Sequence, residues 1–265
     1  MNSTDANSYS VPPRLAAAHY PAPNRQPLGE NPEEREPIAT VVGAVDAILR
    51  QPRRVMYQLR QSGAGQLTLA MLVVAIGCSL VYGLVIGTFS MGTQLWAAPA
   101  KIAGGLVISA LICLPSLYIF TCLSGSQARL REMGGLLAGL LMLMTILLVG
   151  FAPVAWLFSQ STESVAWMGV LHLVFWAIST FFGLRFLEAG FAHSQARSSA
   201  GLNTWIVIFV LVVVQMTTAL RPIVGTADTF LPTERKFFVS YWGECLKSPP
   251  TASQEHYGQT KPLRY

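Results

Sequence analysis

Residues 134–158 read GGLLAGLLMLMTILLVGFAPVAWLF, twenty-five positions without a charged side chain. Wound as a helix the run is about 37 Å long, enough to cross a hydrocarbon core of roughly 30 Å. Lipid offers no hydrogen bonds to the backbone, so a lone apolar segment of this kind must satisfy its own peptide groups, and a helix does that. Four further stretches read the same way: 67–89, 100–123, 165–187 and 203–220. The expected fold class is therefore all-α: a polytopic bundle of five transmembrane helices.

The composition agrees. Hydrophobic residues make up 52% of the chain and charged residues 12%, against about 25% charged in soluble domains. Between Gln66 and Gly190 only Lys101, Arg129, Arg131, Glu132, Glu163, Arg185 and Glu188 are charged. So few charges cannot solvate a surface in water, which leaves acyl chains as the solvent. The net charge of +5 comes from arginines flanking the apolar runs, and reads as membrane flanks rather than a nucleic-acid surface. Met1 to Pro37 is polar, so insertion is expected to use the first span as an uncleaved signal.

Basic residues orient the spans. Arg50, Arg53, Arg54, Arg60, Arg129, Arg131, Arg185 and Arg197 fall on one side; Lys101, Arg221, Arg235 and Lys236 fall on the other. Eight against four predicts a cytoplasmic amino terminus and an external carboxyl terminus.

Four regions follow. Residues 1–36, rich in proline and asparagine, are expected to be a disordered cytoplasmic tail. Residues 37–62 carry Ile38, Val41, Val42, Val45, Ile48 and Leu49 at helical spacing. This is an amphipathic segment that either lies in the cytoplasmic interface or packs on the bundle. Arg50, Arg53, Arg54 and Arg60 are its candidate contacts to anionic lipid. Residues 63–222 form the five-helix domain. Residues 223–265 are an extracytoplasmic tail in which Phe237, Phe238, Tyr241 and Trp242 share a helical face, suited to the outer interface or to docking another subunit.

Small residues recur four apart: Gly83 with Gly87, Gly105 with Ser109, Gly135 with Gly139, and Ser179 with Gly183. These let helix backbones approach closely and are the candidate packing sites. Pro115 and Pro153 should kink the second and third spans. The fifth span, stiff with valine and isoleucine, is expected at the periphery.

Chemistry inside the membrane is sparse. Lys101 is expected to open the second span and snorkel. Arg185 and Glu188, three apart, are placed for a local ion pair. His172 and Gln215 are candidates for bonds to neighbouring helices. No HExxH, GxSxG, P-loop or paired acids occur, and the cysteines show no CxxC. We therefore read no enzyme, cofactor or metal site.

The lead-in AILRQPRRVMYQLR (Ala47 to Arg60), with its Leu-x-x-Pro, and LPSLYIF (Leu114 to Phe120) resemble the YIP family of Rab-interacting five-helix membrane proteins and their bacterial relatives. The resemblance spans roughly residues 38–220 and implies five helices with a cytoplasmic amino terminus. The family's Asp-Leu-x-Gly-Pro signature is absent here, so Rab binding is not implied. The functional expectation is a non-enzymatic scaffold or anchor subunit in a bacterial inner membrane. Its partners would be anionic lipids and other membrane subunits. A channel or transporter and a membrane-shaping protein are the alternatives.

Overall fold

The computed structural model describes residues 27–90, 94–126, 128–161, 165–194, 198 and 200–219. Every regular element among them is helical. Three short helices lead in: α1 (Pro32–Arg35), α2 (Val41–Arg50) and α3 (Pro52–Gln58). Five long ones follow: α4 (Ala64–Ser90), α5 (Gln94–Leu123), α6 (Leu130–Ser161), α7 (Val165–Ala192) and α8 (Ala200–Ala219). Four of these, α4 to α7, are long and apolar enough to cross a membrane; the apolar stretch of α8, Ala200–Met216, is shorter. The chain is thus an α-helical integral membrane protein.

The long helices neighbour one another in the order α7, α6, α4, α5, α8. The helix α6 is the centre: two-thirds (67%) of its apolar window is buried, against 33% in α4, α5 and α7. Leu136, Leu140, Leu141, Met144 and Leu148 on α6 are almost fully enclosed. The helix α8 packs chiefly on α5, at the edge of the row. Its Trp205 and Phe209 stack at 5.1 Å and are fully buried. The Trp205 indole N–H donates to the Cys113 carbonyl at 2.9 Å, which fixes the depth of α8 against α5.

Close approach is concentrated at glycines. A Cβ on Gly83 would run into the Pro99 backbone of α5, and one on Gly183 would come 3.1 Å from the Leu140 carbonyl of α6. Gly139 receives the Phe186 ring, and Gly135 receives Leu59 from the lead-in. Gly87, Gly105, Ser109 and Ser179 are buried as well. At the end of α5 the chain turns through Gly125 at φ +74°. The Ser126 N–H reaches back to the Thr121 carbonyl and Gly125 N–H to Cys122, a Schellman ending that only glycine adopts without strain.

Two expectations are corrected here. The second long helix begins at Gln94, not at residue 100, and runs through Pro99 and Pro115 unbroken. Lys101 is therefore two turns inside it and 1% exposed, not a snorkelling end residue. Residues 27–36 are not a disordered tail: they turn at Gly29, form α1 and pack on α3.

Gly83→Ala should lower the stability of the detergent-solubilised protein by about 1–3 kcal/mol, since the obstacle is backbone that cannot rotate away. Gly77→Ala, on the same helix with open space around it, should cause no loss. Equal thermal shifts for the two would contradict the α4–α5 contact.

Candidate functional site

The two ends of the bundle differ, so we call the end where α4 begins proximal and the opposite end distal. Most buried hydroxyls satisfy themselves along their own helix. Ser79 donates to the Ala75 carbonyl, Ser109 to Gly105, Thr121 to Leu117 and Thr145 to Leu141, all within 2.9 Å. One polar contact joins helices deep in the distal half. The Tyr82 hydroxyl of α4 lies 2.7 Å from His172 Nδ1 of α7, with both residues buried. Phe175 meets the imidazole edge-on and stacks on Phe151 of α6 at 4.7 Å.

A phenol is a strong donor and a neutral imidazole nitrogen a strong acceptor, which assigns the Tyr82 O–H to Nδ1. Nε2 then carries the proton, and it has no hydrogen-bond partner among the described residues. The Ser179 hydroxyl, two turns along the same face of α7, is likewise buried without a partner there. Tyr82, Lys101, Pro153 and His172 each lie seven or eight residues from the distal end of their helices, about 11 Å along the axis. Pro153 has no N–H for the Val149 carbonyl, and Val149 packs against the cluster containing Tyr82 and Phe175. The layer is thus polar in an otherwise apolar half.

Other expected residues fall elsewhere. Arg185 and Glu188 do not pair: the guanidinium sits 5.8 Å over the Phe181 ring. Helical side chains lean towards the amino end, which carries Arg185 back over Phe181 and away from Glu188. Gln215 is exposed. Phe237, Phe238, Tyr241 and Trp242, with Arg197 and the basic residues from Arg221 onward, lie outside the described residues.

At the proximal end, three of the four lead-in arginines bond to acceptors of the protein itself, Arg53 and Arg54 half-buried and Arg60 exposed. Arg53 pairs with the buried Glu34 at 2.6 Å and donates to the Pro27 carbonyl at 3.1 Å. Arg54 donates to the Glu36 and Pro37 carbonyls. Arg60 donates to the His193 carbonyl at 2.5 Å, where a cation suits the carboxyl end of α7. Arg50 alone points out, with a side chain 80% exposed and an exposed pair to Asp46 at 3.1 Å, worth at most about 0.5 kcal/mol. Glu34 also accepts the Gly29 N–H at 2.5 Å, and the Gly29 carbonyl accepts from Arg35 Nε at 2.7 Å. Gly29 is held at φ +87° with the Tyr57 ring against it. The sequence reading missed this clasp; the only signal was an acidic pair, Glu33-Glu34, upstream of an arginine pair.

Burial acts most strongly on Glu34 and raises its pKa, but the bonds from Arg53 and Gly29 and the Arg53 charge outweigh it, so the carboxyl titrates below 4.5. Among the described residues no three His, Cys, Asp or Glu side chains gather to hold a metal. Comparison of the chain with family models, with curated proteins and with solved structures found no match in any of the three.

Two measurements check these contacts. Tyr82→Phe should destabilise the bundle by about 1–3 kcal/mol by orphaning the imidazole, while Tyr82→Phe with His172→Leu should cost no more than the single change; additive losses would contradict the pairing. The clasp stabilises above pH 4.5 and is lost as pH falls through the lowered folded-state value, because protonation removes the carboxylate. Amide protection factors in residues 27–36, corrected for the intrinsic pH dependence of exchange, should fall on that acidification, and at neutral pH in Glu34→Gln.

Proposed function

We propose that this chain is a non-enzymatic integral membrane scaffold or anchor subunit. In this reading α8 is a fifth span, the amino terminus is cytoplasmic, the carboxyl terminus is external, and the membrane is a bacterial inner membrane. At 20 residues α8 is about 30 Å long, which matches a hydrocarbon core without surplus. The gathering of Arg60, Arg131 and the lead-in arginines at the proximal end supports that end being inside. Kinship with the YIP family stays part of this proposal, on the lead-in and LPSLYIF alone.

The observation that carries the scaffold reading is α8 itself. One face, Leu202, Trp205, Phe209 and Val213, is locked onto α5, while Val207, Val210 and Leu211 stand exposed on the opposite face. A stiff helix hung on the edge of a packed row offers a ready surface for another membrane subunit. The full chain extracted in mild detergent should co-purify with a partner, and native mass spectrometry should give a complex. A clean monomer sinks the reading.

A transporter is the second reading, favoured by His172 Nε2, which has no hydrogen-bond partner among the described residues, at the same depth as Pro153. In proteoliposomes it requires flux that His172→Leu abolishes while the variant still reconstitutes with its helical content retained. Absence of flux across pH gradients and small anions or cations returns the argument to the scaffold.

A further inference from the structure

The helix α2 has three sectors rather than two. At about 100° per residue, Ala44, Ala47 and Ile48 occupy one arc, and all three are at most 2% exposed. They belong to the same core as Leu67, Met71 and Ala75 of α4. Asp46 and Arg50 occupy a second arc and are exposed and paired to each other. Between these arcs lie Val41, Val45, Leu49 and Val42. Val41 is 48% exposed, Leu49 49% and Val42 78%. An apolar arc facing water would be unfavourable, and the helix already has a separate arc for its contact with protein.

We propose that this third arc is sunk into the lipid at the proximal membrane surface, so that α2 is a wedge touching protein, acyl chains and water at once. Continuity with the span supports lipid as the occupant. The helix α2 packs on α4, sharing a core with its Leu67, Met71 and Ala75, and α4 itself carries an exposed apolar face, Leu69, Val73, Ile76 and Leu80. The inference rests on α4 being a span. Apolar contact rather than charge holds the wedge: Arg53, Arg54 and Arg60 are engaged within the protein, and Arg50 lies on the water-facing arc. A lipid-binding amphipathic helix usually carries basic residues flanking its apolar face; this one is held in place covalently by the span that follows it.

The test uses the full chain in phosphatidylcholine nanodiscs, with p-benzoyl-phenylalanine placed singly at Val42, Asp46 or Val73. Irradiation should add one phospholipid mass at Val42 and at Val73, and severalfold less at Asp46. Arg50→Gln should leave the Val42 yield within about twofold, because that charge does not hold the wedge, whereas Leu49→Glu should lower it severalfold. A cross-link from Val42 to a second copy, or Val42 labelling no stronger than Asp46, overturns the proposal. Failure at Val73 as well would remove the membrane reading of α4 on which it stands.

Discussion

Helices in hydrocarbon gain nothing by hiding apolar surface from one another, since lipid tails are as apolar as leucine. What remains is shape. The bundle depends on places where one helix has given up a side chain so that another can enter: Gly83 for the Pro99 backbone, Gly183 for the Leu140 carbonyl, Gly139 for the Phe186 ring. Each contact is worth little alone, as dispersion is, and matters because it is repeated along long parallel surfaces. The centrality of α6 follows. It carries Gly135 and Gly139 on a helix otherwise packed with leucine and methionine, so it can be approached closely and also fill the gaps it leaves.

Polar groups obey the complementary constraint. An unpaired hydroxyl in lipid is costly, and serine and threonine avoid that by turning back onto their own helices, as Ser79, Ser109, Thr121 and Thr145 do. These bonds hold no helix to another. Tyr82 and His172 have no such option, because an aromatic ring cannot reach its own helix's carbonyls. They meet across the bundle instead, and so define the register of α7 against α4. The imidazole has two nitrogens and one partner. That mismatch, like the Ser179 hydroxyl two turns away, is not explained by packing.

The membrane helices were legible because their signal is thermodynamic and local. About twenty apolar residues in a row have few ways to exist in a cell other than as a span, and four of the five runs became helices long and apolar enough to cross a membrane, the fifth a shorter one. Their edges were less legible. The apolar run 100–123 starts after Pro99, yet the helix starts at Gln94, and Gly83 leaves the room that Pro99 occupies against α4. That shift moved Lys101 from the end of a helix to its interior. The Tyr82–His172 contact joins residues 90 positions apart, and nothing in an apolar run marks one tyrosine as the partner of one histidine. The small-residue pairs did point to Gly83, Gly139 and Gly183, because the absence of a side chain is a property each residue carries alone.

The lead-in shows why charge was the least readable feature. From composition, four arginines beside a membrane suggest four contacts to lipid headgroups. A guanidinium, however, binds whichever acceptors are nearest and best fixed, and the chain itself supplies them: Glu34 in a buried position, the Pro27, Glu36 and Pro37 carbonyls in an extended strap, and the open carboxyl end of α7. Apart from the one on α7, these acceptors are tethered 17 to 26 residues away, so the local concentration favours them over mobile lipid. With Arg53, Arg54 and Arg60 bonded to the protein's own acceptors, the apolar arc of α2 is left as an exposed surface of the lead-in. The same prolines and acids that made residues 27–36 look unstructured are what close the strap, since a chain too polar to form a core can still be ordered by one buried carboxylate with enough donors around it.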